Sequence, residues 1–238
     1  MSLLTIVQNA LNEIGDFEVP SSIVGNANPT ATQSLAIANR ALKETARRTN
    51  WQALSREATI TMVAATSEYA LPADFQTFID ETIWNTAQRR MVFVTTPQSW
   101  AQLQAQNIGG TTTLFFRIFR DPASNVNTVQ FYPVPGTSET VTYEYISNAL
   151  TQTSGGTLQN DTFLADTDTA LLDEDLISLG FKWRFLKAKG FPYSEELQDY
   201  ELALSNRAGS TANAILDMGQ DGTTSIRVLY VPETGFGA

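Results

Sequence analysis

Two kinds of hydrophobic periodicity divide this chain, and their order along it constrains the fold more than any other feature. Apolar residues recur at helical spacing near both ends, whereas the middle consists of short segments rich in Thr, Val, Ile, Phe and Tyr that tend to alternate as strands do. Helices that flank a β region pack most simply against each other. We therefore predict an α+β fold: a bundle of N- and C-terminal helices with an inserted antiparallel β domain, a small sandwich or barrel.

The predicted helices carry start and stop signals. Ser2 and Gly15 are the expected N-cap and end of the first helix, and Asn28 followed by Pro29 is the expected start of the second. The second helix also has a basic face formed by Arg40, Lys43 and Arg47. The simpler interpretation of this face is a solvated surface, and the more specific one is a contact with phosphate or a partner. In residue numbers, we predict a helical bundle domain at 1–54 and 170–218, an inserted β domain at 55–148, an extended loop or hairpin at 149–169, and a C-terminal tail at 219–238.

The helix predicted to follow Asp173 carries two apolar strips side by side. Such a helix is either central in its bundle or buried against another subunit. Its candidate interface residues are Leu179, Phe181, Trp183 and Phe185. Near the C-terminus, "TTSIRVLYV" resembles a strand without a local partner, which would add to its own sheet or to another chain. The candidate interface residues of that segment are Ile226, Val228, Leu229 and Tyr230.

The residue types that are absent narrow the chemistry. The sequence has no histidine and no cysteine, which excludes a Ser-His-Asp triad, a thiolate nucleophile, a disulfide framework and a cysteine metal site. With 25 acidic against 15 basic residues, the net charge of −10 is unlike the basic footprint of a sequence-reading DNA-binding protein. No apolar run is long enough to span a membrane and the N-terminus lacks a secretory leader. We therefore expect a soluble protein made in the cytoplasm, without a cofactor.

Acidic residues cluster in "DTFLADTDTALLDED", and oxygen ligands of this kind suit calcium. An EF-hand loop counted from Asp166 would need a glycine at its sixth position and a glutamate at its twelfth, where this chain has Leu171 and Ile177. The EF-hand interpretation therefore fails, and Asp168 and Asp173 are better explained as capping and first-turn acids. A glycosidase would need a pair of carboxylates, but spacing alone nominates none.

The stretch "EYALPADF" predicts a structural corner rather than an active site. Pro72 fixes its own φ and disfavours helix before it, so Leu71 leads extended into a turn. At such a turn we expect Asp74 to bond a nearby backbone amide, with Tyr69 and Phe75 packed beneath it. Nothing in this stretch brings a base, a nucleophile and an oxyanion site together.

Four segments occur in a specific order along the chain: "SLLTIVQNALNEIG", "NPTATQSLAIANRALKETARRTNWQAL", "EYALPADFQTFIDETIWN" and "DTDTALLDEDLISLGFKWRFLKAKGFPYSEELQDYE". Together they resemble a family of tailed-bacteriophage and prophage proteins that serve as head–tail adaptors, or connectors, especially in short-tailed phages. The likeness spans roughly residues 1–207 and is strongest at the proline corner and at the Trp183 helix. These motifs are structural and carry no catalytic content.

The resemblance implies bundled terminal helices with an inserted β domain, and a structural role at the head–tail junction of the virion. It implies a homo-oligomeric ring of twelve copies beneath the portal protein ring, extending the DNA channel and offering a platform to the tail tube or nozzle protein. Genomic double-stranded DNA would pass through without sequence-specific binding, which an acidic balance suits. On this basis the Trp183 helix would contact a neighbouring subunit, the polar stretch 148–169 would reach across a subunit boundary, and the C-terminal segment would dock on the portal.

Two other classes of function stay open from the sequence. A tail-completion protein or other virion interaction protein would share the mixed fold, and would bind the tail but not the portal. A carboxylate-dependent cell-wall hydrolase would give the acidic residues a catalytic use. In that case one Asp or Glu substitution would remove activity without unfolding the protein.

Overall fold

The protein was analysed as a computed structural model that describes residues 1–15, 17–106, 113–120, 126–157 and 160–212. Its helices begin and end close to the sequence signals. They are α1 (Leu3–Ile14), α2 (Pro29–Arg48), α3 (Pro97–Gln106), α4 (Glu174–Lys189) and α5 (Ser194–Ala212), with a short 3-10 turn at Gln52–Leu54.

Side-chain caps explain where the helices begin. The predicted N-caps Ser2, Asn28 and Asp173 accept hydrogen bonds from the amides two or three residues onward, at 3.3, 2.9 and 2.9 Å. Thr96 does the same for α3, accepting from the Ser99 amide at 3.2 Å. Gly190 ends α4 in the left-handed conformation that favours glycine. These predictions are confirmed, because capping depends only on neighbours in the sequence.

The helices α1, α2, α4 and α5 share a core of buried apolar side chains. The helix α4 lies at its centre, in contact with each of the other three. It packs closely on α2 at Gly180, where an added Cβ would lie 3.4 Å from the Cβ of Ala41. The fully buried side chains of this core include Leu3, Leu11, Leu42, Ile177, Phe181, Phe185 and Tyr200.

The β region forms two sheets that pack face to face. Their strands are β1 (Ser55–Met62), β2 (Glu68–Ala70), β3 (Phe75–Phe78), β4 (Trp84–Asn85), β5 (Arg90–Met91), β6 (Phe93–Val94), β7 (Phe115–Arg120), β8 (Asn127–Tyr132) and β9 (Glu139–Ser147). One sheet has the order β1-β9-β4-β5 with β3 also paired to β9, and the other has the order β2-β8-β7-β6. Aromatic rings join the two sheets, as Phe78 and Phe116 do with ring centroids 5.4 Å apart.

One strand pair departs from the predicted antiparallel pattern. The pair β6–β7 is parallel, with Phe93 opposite Phe115 and Val94 opposite Phe116. The helix α3 lies between these two strands in the sequence and supplies the crossover that a parallel pair needs. The second sheet is therefore mixed. The side chain of Trp100 on α3 covers its outer side, with Arg117 over its ring at 4.7 Å.

The two cores meet where β9 ends. Ile146 and Leu150 belong to the helical core, although the preceding residues of β9 belong to the β core. The chain then forms β10 (Thr151–Gln152), which pairs with β11 (Thr169–Ala170) immediately before α4. A hairpin was one of the two forms expected for this stretch. The predicted domain boundaries stay predictions.

Candidate interaction surfaces

The proline corner is held by long-range hydrogen bonds to β9. The carboxylate of Asp74 accepts from the hydroxyls of Tyr145 at 3.1 Å and Ser147 at 2.6 Å, and its carbonyl accepts from the Asn148 amide at 2.7 Å. The carboxylate therefore bonds hydroxyl groups some seventy residues away, rather than the nearby amide that we expected. This arrangement fastens β3 to β9 and to the junction between the cores.

The aromatic residues of the corner lie where the sequence placed them. Phe75 is buried, with its ring centroid 4.7 Å from that of Phe78. Leu71 is also buried, and the Pro72 carbonyl accepts from the Phe75 amide at 3.0 Å, which closes the turn. The Tyr69 hydroxyl ties the β1–β2 turn by accepting from the Val63 amide at 2.8 Å.

Two buried tyrosines near Asp74 have raised pKa values. Burial, the charge of Asp74 and the hydrogen bond to it raise the pKa of Tyr145 to about 12. Burial, followed by the charges of Tyr145 and Asp74, raises the pKa of Tyr143 to about 12 as well. Both hydroxyls are therefore neutral at physiological pH and act as structural groups.

The aspartates considered as calcium ligands form hydrogen bonds with backbone amides of the same chain. The Asp166 carboxylate accepts from the amides of Ile23 and Val24, at 3.1 and 2.7 Å. The Asp168 carboxylate accepts from the amides of Leu164 and Ala165, both at 2.7 Å. The backbone carbonyls of these two aspartates also accept amides from the start of α1. In the described part of the chain, no cluster of three or more acidic side chains could hold a metal ion.

A partly buried ion pair lies between α2 and α4. Arg184 is 6% exposed and forms a salt bridge with Glu44, while its guanidinium also donates to the Gly180 carbonyl at 2.6 Å and lies over the Trp183 ring at 4.2 Å. Burial alone would raise the pKa of Glu44, but the hydrogen bonds and charges of Arg184 and Arg40 outweigh it and lower the pKa. Two residues of the predicted basic face of α2 also pair with acids of the same chain, Lys43 with Asp161 at 2.7 Å and Arg40 with Glu44 at 3.2 Å, whereas Arg47 is exposed.

Most apolar residues of the two α4 strips pack in the helical core of their own subunit. Phe181 and Phe185 are 0% exposed and stack on each other with centroids 5.5 Å apart. Leu179 and Trp183 are half-buried at the edge of the same core. Of the two alternatives left open for this helix, a central position in the bundle accounts for Phe181 and Phe185. The predicted interface residues Ile226, Val228, Leu229 and Tyr230 lie outside the described residues.

One side of the first sheet is open to solvent. On the side away from the β core, Glu57 of β1 lies directly opposite Glu144 of β9, and Thr59 lies opposite Thr142. Trp84 of β4 pairs with Thr142 on its other side and is 42% exposed. We call these five residues the sheet face. In the described part of the chain neither glutamate forms a salt bridge.

Comparison with known proteins identifies the family. A family model described as SU10 adaptor protein matches residues 1–229, nearly the whole chain. The chain belongs to the SU10 adaptor family. No curated protein matched it. The family comprises phage head–tail adaptors, which confirms the resemblance seen in the sequence and makes the chain a structural protein of the virion at the head–tail junction. Such adaptors interact with portal and tail components, and theirs is not a known enzyme family.

The chain carries a second exposed surface at the C-terminal end of α4. Phe191 is 49% exposed and its ring centroid lies 5.8 Å from that of Phe17. The ammonium of Lys189 lies 5.2 Å from the Phe185 ring, and that of Lys187 lies 5.5 Å from the Tyr193 ring. We call Lys187, Lys189 and Phe191 the α4 end. Among the described helices of the adaptor, none is both long and apolar enough to cross a membrane.

The sheet face was not predicted from the sequence. Trp84 stood inside the corner segment, and its place among polar neighbours in "ETIWNT" was the one available signal that it would be exposed. The opposition of Glu57 and Glu144 could not be predicted, because it depends on the register between two strands far apart in the sequence.

Proposed function

We propose that this adaptor assembles as a ring of twelve copies beneath the portal ring of a short-tailed phage. In this position it extends the channel for genomic double-stranded DNA and provides the platform to which the tail tube or nozzle protein docks. The observation that carries the proposal is the family match over residues 1–229, which includes both the helical part and the β region.

The chemistry of the described residues supports a structural role. The aspartates of the acidic cluster considered for calcium, Asp166 and Asp168, accept hydrogen bonds from amides of the same chain, and the carboxylate of Asp74 in the corner accepts from hydroxyl groups of the same chain. A net charge of −10 suits a channel wall that lets DNA pass, because attraction to phosphates would slow ejection.

Mass photometry tests the proposal directly. The purified protein is measured alone, then mixed with portal rings from the same phage, and an unrelated acidic protein serves as the control. We expect each portal ring to gain the mass of twelve 26.1 kDa chains. A protein that is monomeric when alone would show that the portal templates the ring.

No mass gain at micromolar concentration would overturn portal binding. The same measurement with purified tail components then separates the alternatives. Binding to the tail without binding to the portal would identify a tail-completion protein instead of a portal-proximal adaptor.

A further inference from the structure

We propose that neighbouring copies in the ring contact each other through the sheet face of one copy and the α4 end of the next. This inference rests on the proposed ring and specifies which surfaces build it. The occupant of the sheet face is thus a second copy of this chain, and its recognition combines ion pairs with aromatic contact.

The first observation is an unfavourable pair of charges that the fold retains. Glu57 and Glu144 lie directly opposite each other on adjacent antiparallel strands, where like charges are destabilising. Both side chains are exposed and, within the described residues, no salt bridge offsets their repulsion. Residues that destabilise the fold at their own position are often found at functional sites. Lysines brought by a partner would neutralise both carboxylates at once.

The second observation is the contrast between the outer sides of the two sheets. On the mixed sheet, Trp100 of α3 lies against Arg117 and Tyr132 and is only 2% exposed. No described element covers the sheet face in the same way, and Trp84 stands there 42% exposed beside the opposed glutamates. An exposed tryptophan next to charged groups is typical of protein interfaces, in which aromatic residues act as anchors.

The third observation is that the same chain carries a surface of complementary chemistry. At the α4 end, Lys187 and Lys189 are held against aromatic rings and, among the described residues, neither forms a salt bridge. Phe191 is exposed, and both it and Lys189 contact the ring of Phe17. Contact between the surfaces would place the lysines against the glutamates and Phe191 against Trp84.

The two surfaces belong to different parts of the subunit, which is what a ring requires. The sheet face lies on the β sandwich, and the α4 end lies on the helical core. A contact between two different patches is heterologous, so each copy offers one patch to each neighbour and the chain of contacts closes into a ring when the rotation allows. A two-fold contact, by contrast, would stop at a dimer.

Charge reversal tests the pairing. The first variant is Glu57→Lys with Glu144→Lys, and the second is Lys187→Glu with Lys189→Glu. The first variant keeps a like-charge pair across the strands, so the stability of the isolated subunit should change little. Each variant alone should assemble on portal rings with an affinity at least about tenfold lower than that of the wild type, because like charges then meet at every contact. The controls are Asp199→Lys and Arg47→Glu, exposed residues outside both surfaces, which should assemble as the wild type does.

Mixing the two variants gives the decisive result. In an alternating ring, the reversed sheet face of the first variant meets the reversed α4 end of the second, and the unreversed surfaces meet at the next contact. An equal mixture should therefore recover assembly that neither variant shows alone. The single chain with all four substitutions should recover it too.

The outcomes separate this inference from the proposed function. If the wild type assembles on portal rings and each double variant assembles equally well, the interface is wrong while the ring stands. If the variants fail and neither the mixture nor the fourfold variant recovers, the pairing of these two surfaces is wrong. If the wild type never assembles, with or without portal, both proposals fail together.

Discussion

At the scale of single residues, Arg184 shows how a charge is accommodated in the helical core. Its guanidinium is 6% exposed, yet it has a carboxylate partner in Glu44, a carbonyl acceptor in Gly180 and an aromatic face in Trp183. Removing one partner of such a pair leaves the other charge buried without compensation, and that loss exceeds the net contribution of the intact pair.

Replacing Glu44 with Gln should therefore lower the free energy of unfolding by about 2–3 kcal/mol, measured by urea denaturation at neutral pH. The matched control is Glu201→Gln in the exposed pair with Arg48, where we expect a loss of less than about 1 kcal/mol. Because the pKa of Glu44 is lowered from its ordinary value of 4.5, the contribution of its carboxylate is present above that pH and is lost as the pH falls through the lowered pKa. Equal losses in the two variants would contradict this account.

At the scale of elements, the approach of α4 to α2 depends on a glycine. A Cβ at position 180 would lie 3.0 Å from the guanidinium of Arg184 on α4 itself, 3.3 Å from the Tyr200 ring of α5 and 3.4 Å from the Cβ of Ala41 on α2, so a large side chain here would push the neighbouring helices away from α4. Gly209 on α5 offers a comparison, because nothing lies within 4 Å of a Cβ built there.

The substitution Gly180→Leu should separate α2 from α4 and destabilise the fold by about 3 kcal/mol, in the range of overpacked cores. Gly209→Leu should be neutral or slightly stabilising, because leucine favours helix and its side chain meets no obstacle. Thermal unfolding followed by circular dichroism compares the two. A neutral Gly180→Leu would mean that the two helices do not approach as closely as this contact requires.

Structural features that depend on neighbouring residues in the sequence were predicted correctly. Hydrogen bonds between segments far apart in the sequence were not. Ser2, Asn28 and Asp173 cap their helices as the sequence indicated, because each cap bonds an amide two or three residues away. Asp74 was predicted as a turn residue, but the hydroxyls that it bonds lie some seventy residues away. Asp166 was considered only as a calcium ligand, and the amides that it bonds lie in the distant segment at Ile23 and Val24. A single sequence does not reveal which distant segment will supply such a partner.

For the sheets and the exposed surfaces, too, the features that depend on contacts between distant segments were not predicted. Strand segments were predicted from alternation, but the parallel β6–β7 pair depends on how α3 crosses over between them. The apolar residues of α4 were recognised, but only packing decided that Phe181 and Phe185 are internal. The sheet face arises from strand register and was therefore not predicted.

At the scale of the whole molecule, the tyrosines under the corner predict how the fold responds to alkali. The pKa values of Tyr143 and Tyr145 are both raised from 10 to about 12, so the folded state favours their neutral form. Their contribution to stability is therefore complete below pH 10 and is lost as the pH rises from 10 toward 12.

Between neutral pH and about pH 10 the two tyrosines should not change the free energy of unfolding, and between pH 10 and 12 they should lower it, as measured by urea unfolding at each pH. In Asp74→Asn the negative charge beside Tyr145 is gone, so the pKa of this tyrosine should fall, and tyrosine absorbance should show its ionisation at a lower pH than in the wild type. The control Asp80→Asn, in an exposed turn, should leave the titration unchanged. Unshifted tyrosine titration in Asp74→Asn would contradict the coupling.

The attachment of α1 bears on how the chain is made on the ribosome. The amides of Leu3 and Leu4 bond to the carbonyls of Asp168 and Asp166, Ser2 bridges to Thr169, and the N-terminal ammonium pairs with Glu174. The helix α1 thus meets these partners only after some 170 further residues have been synthesised. Throughout that interval its apolar side is without its native cover, and exposed surfaces of this kind are where nascent chains aggregate or recruit chaperones. The β region can pair its own strands meanwhile, so we expect it to gain structure during translation before the helical bundle closes.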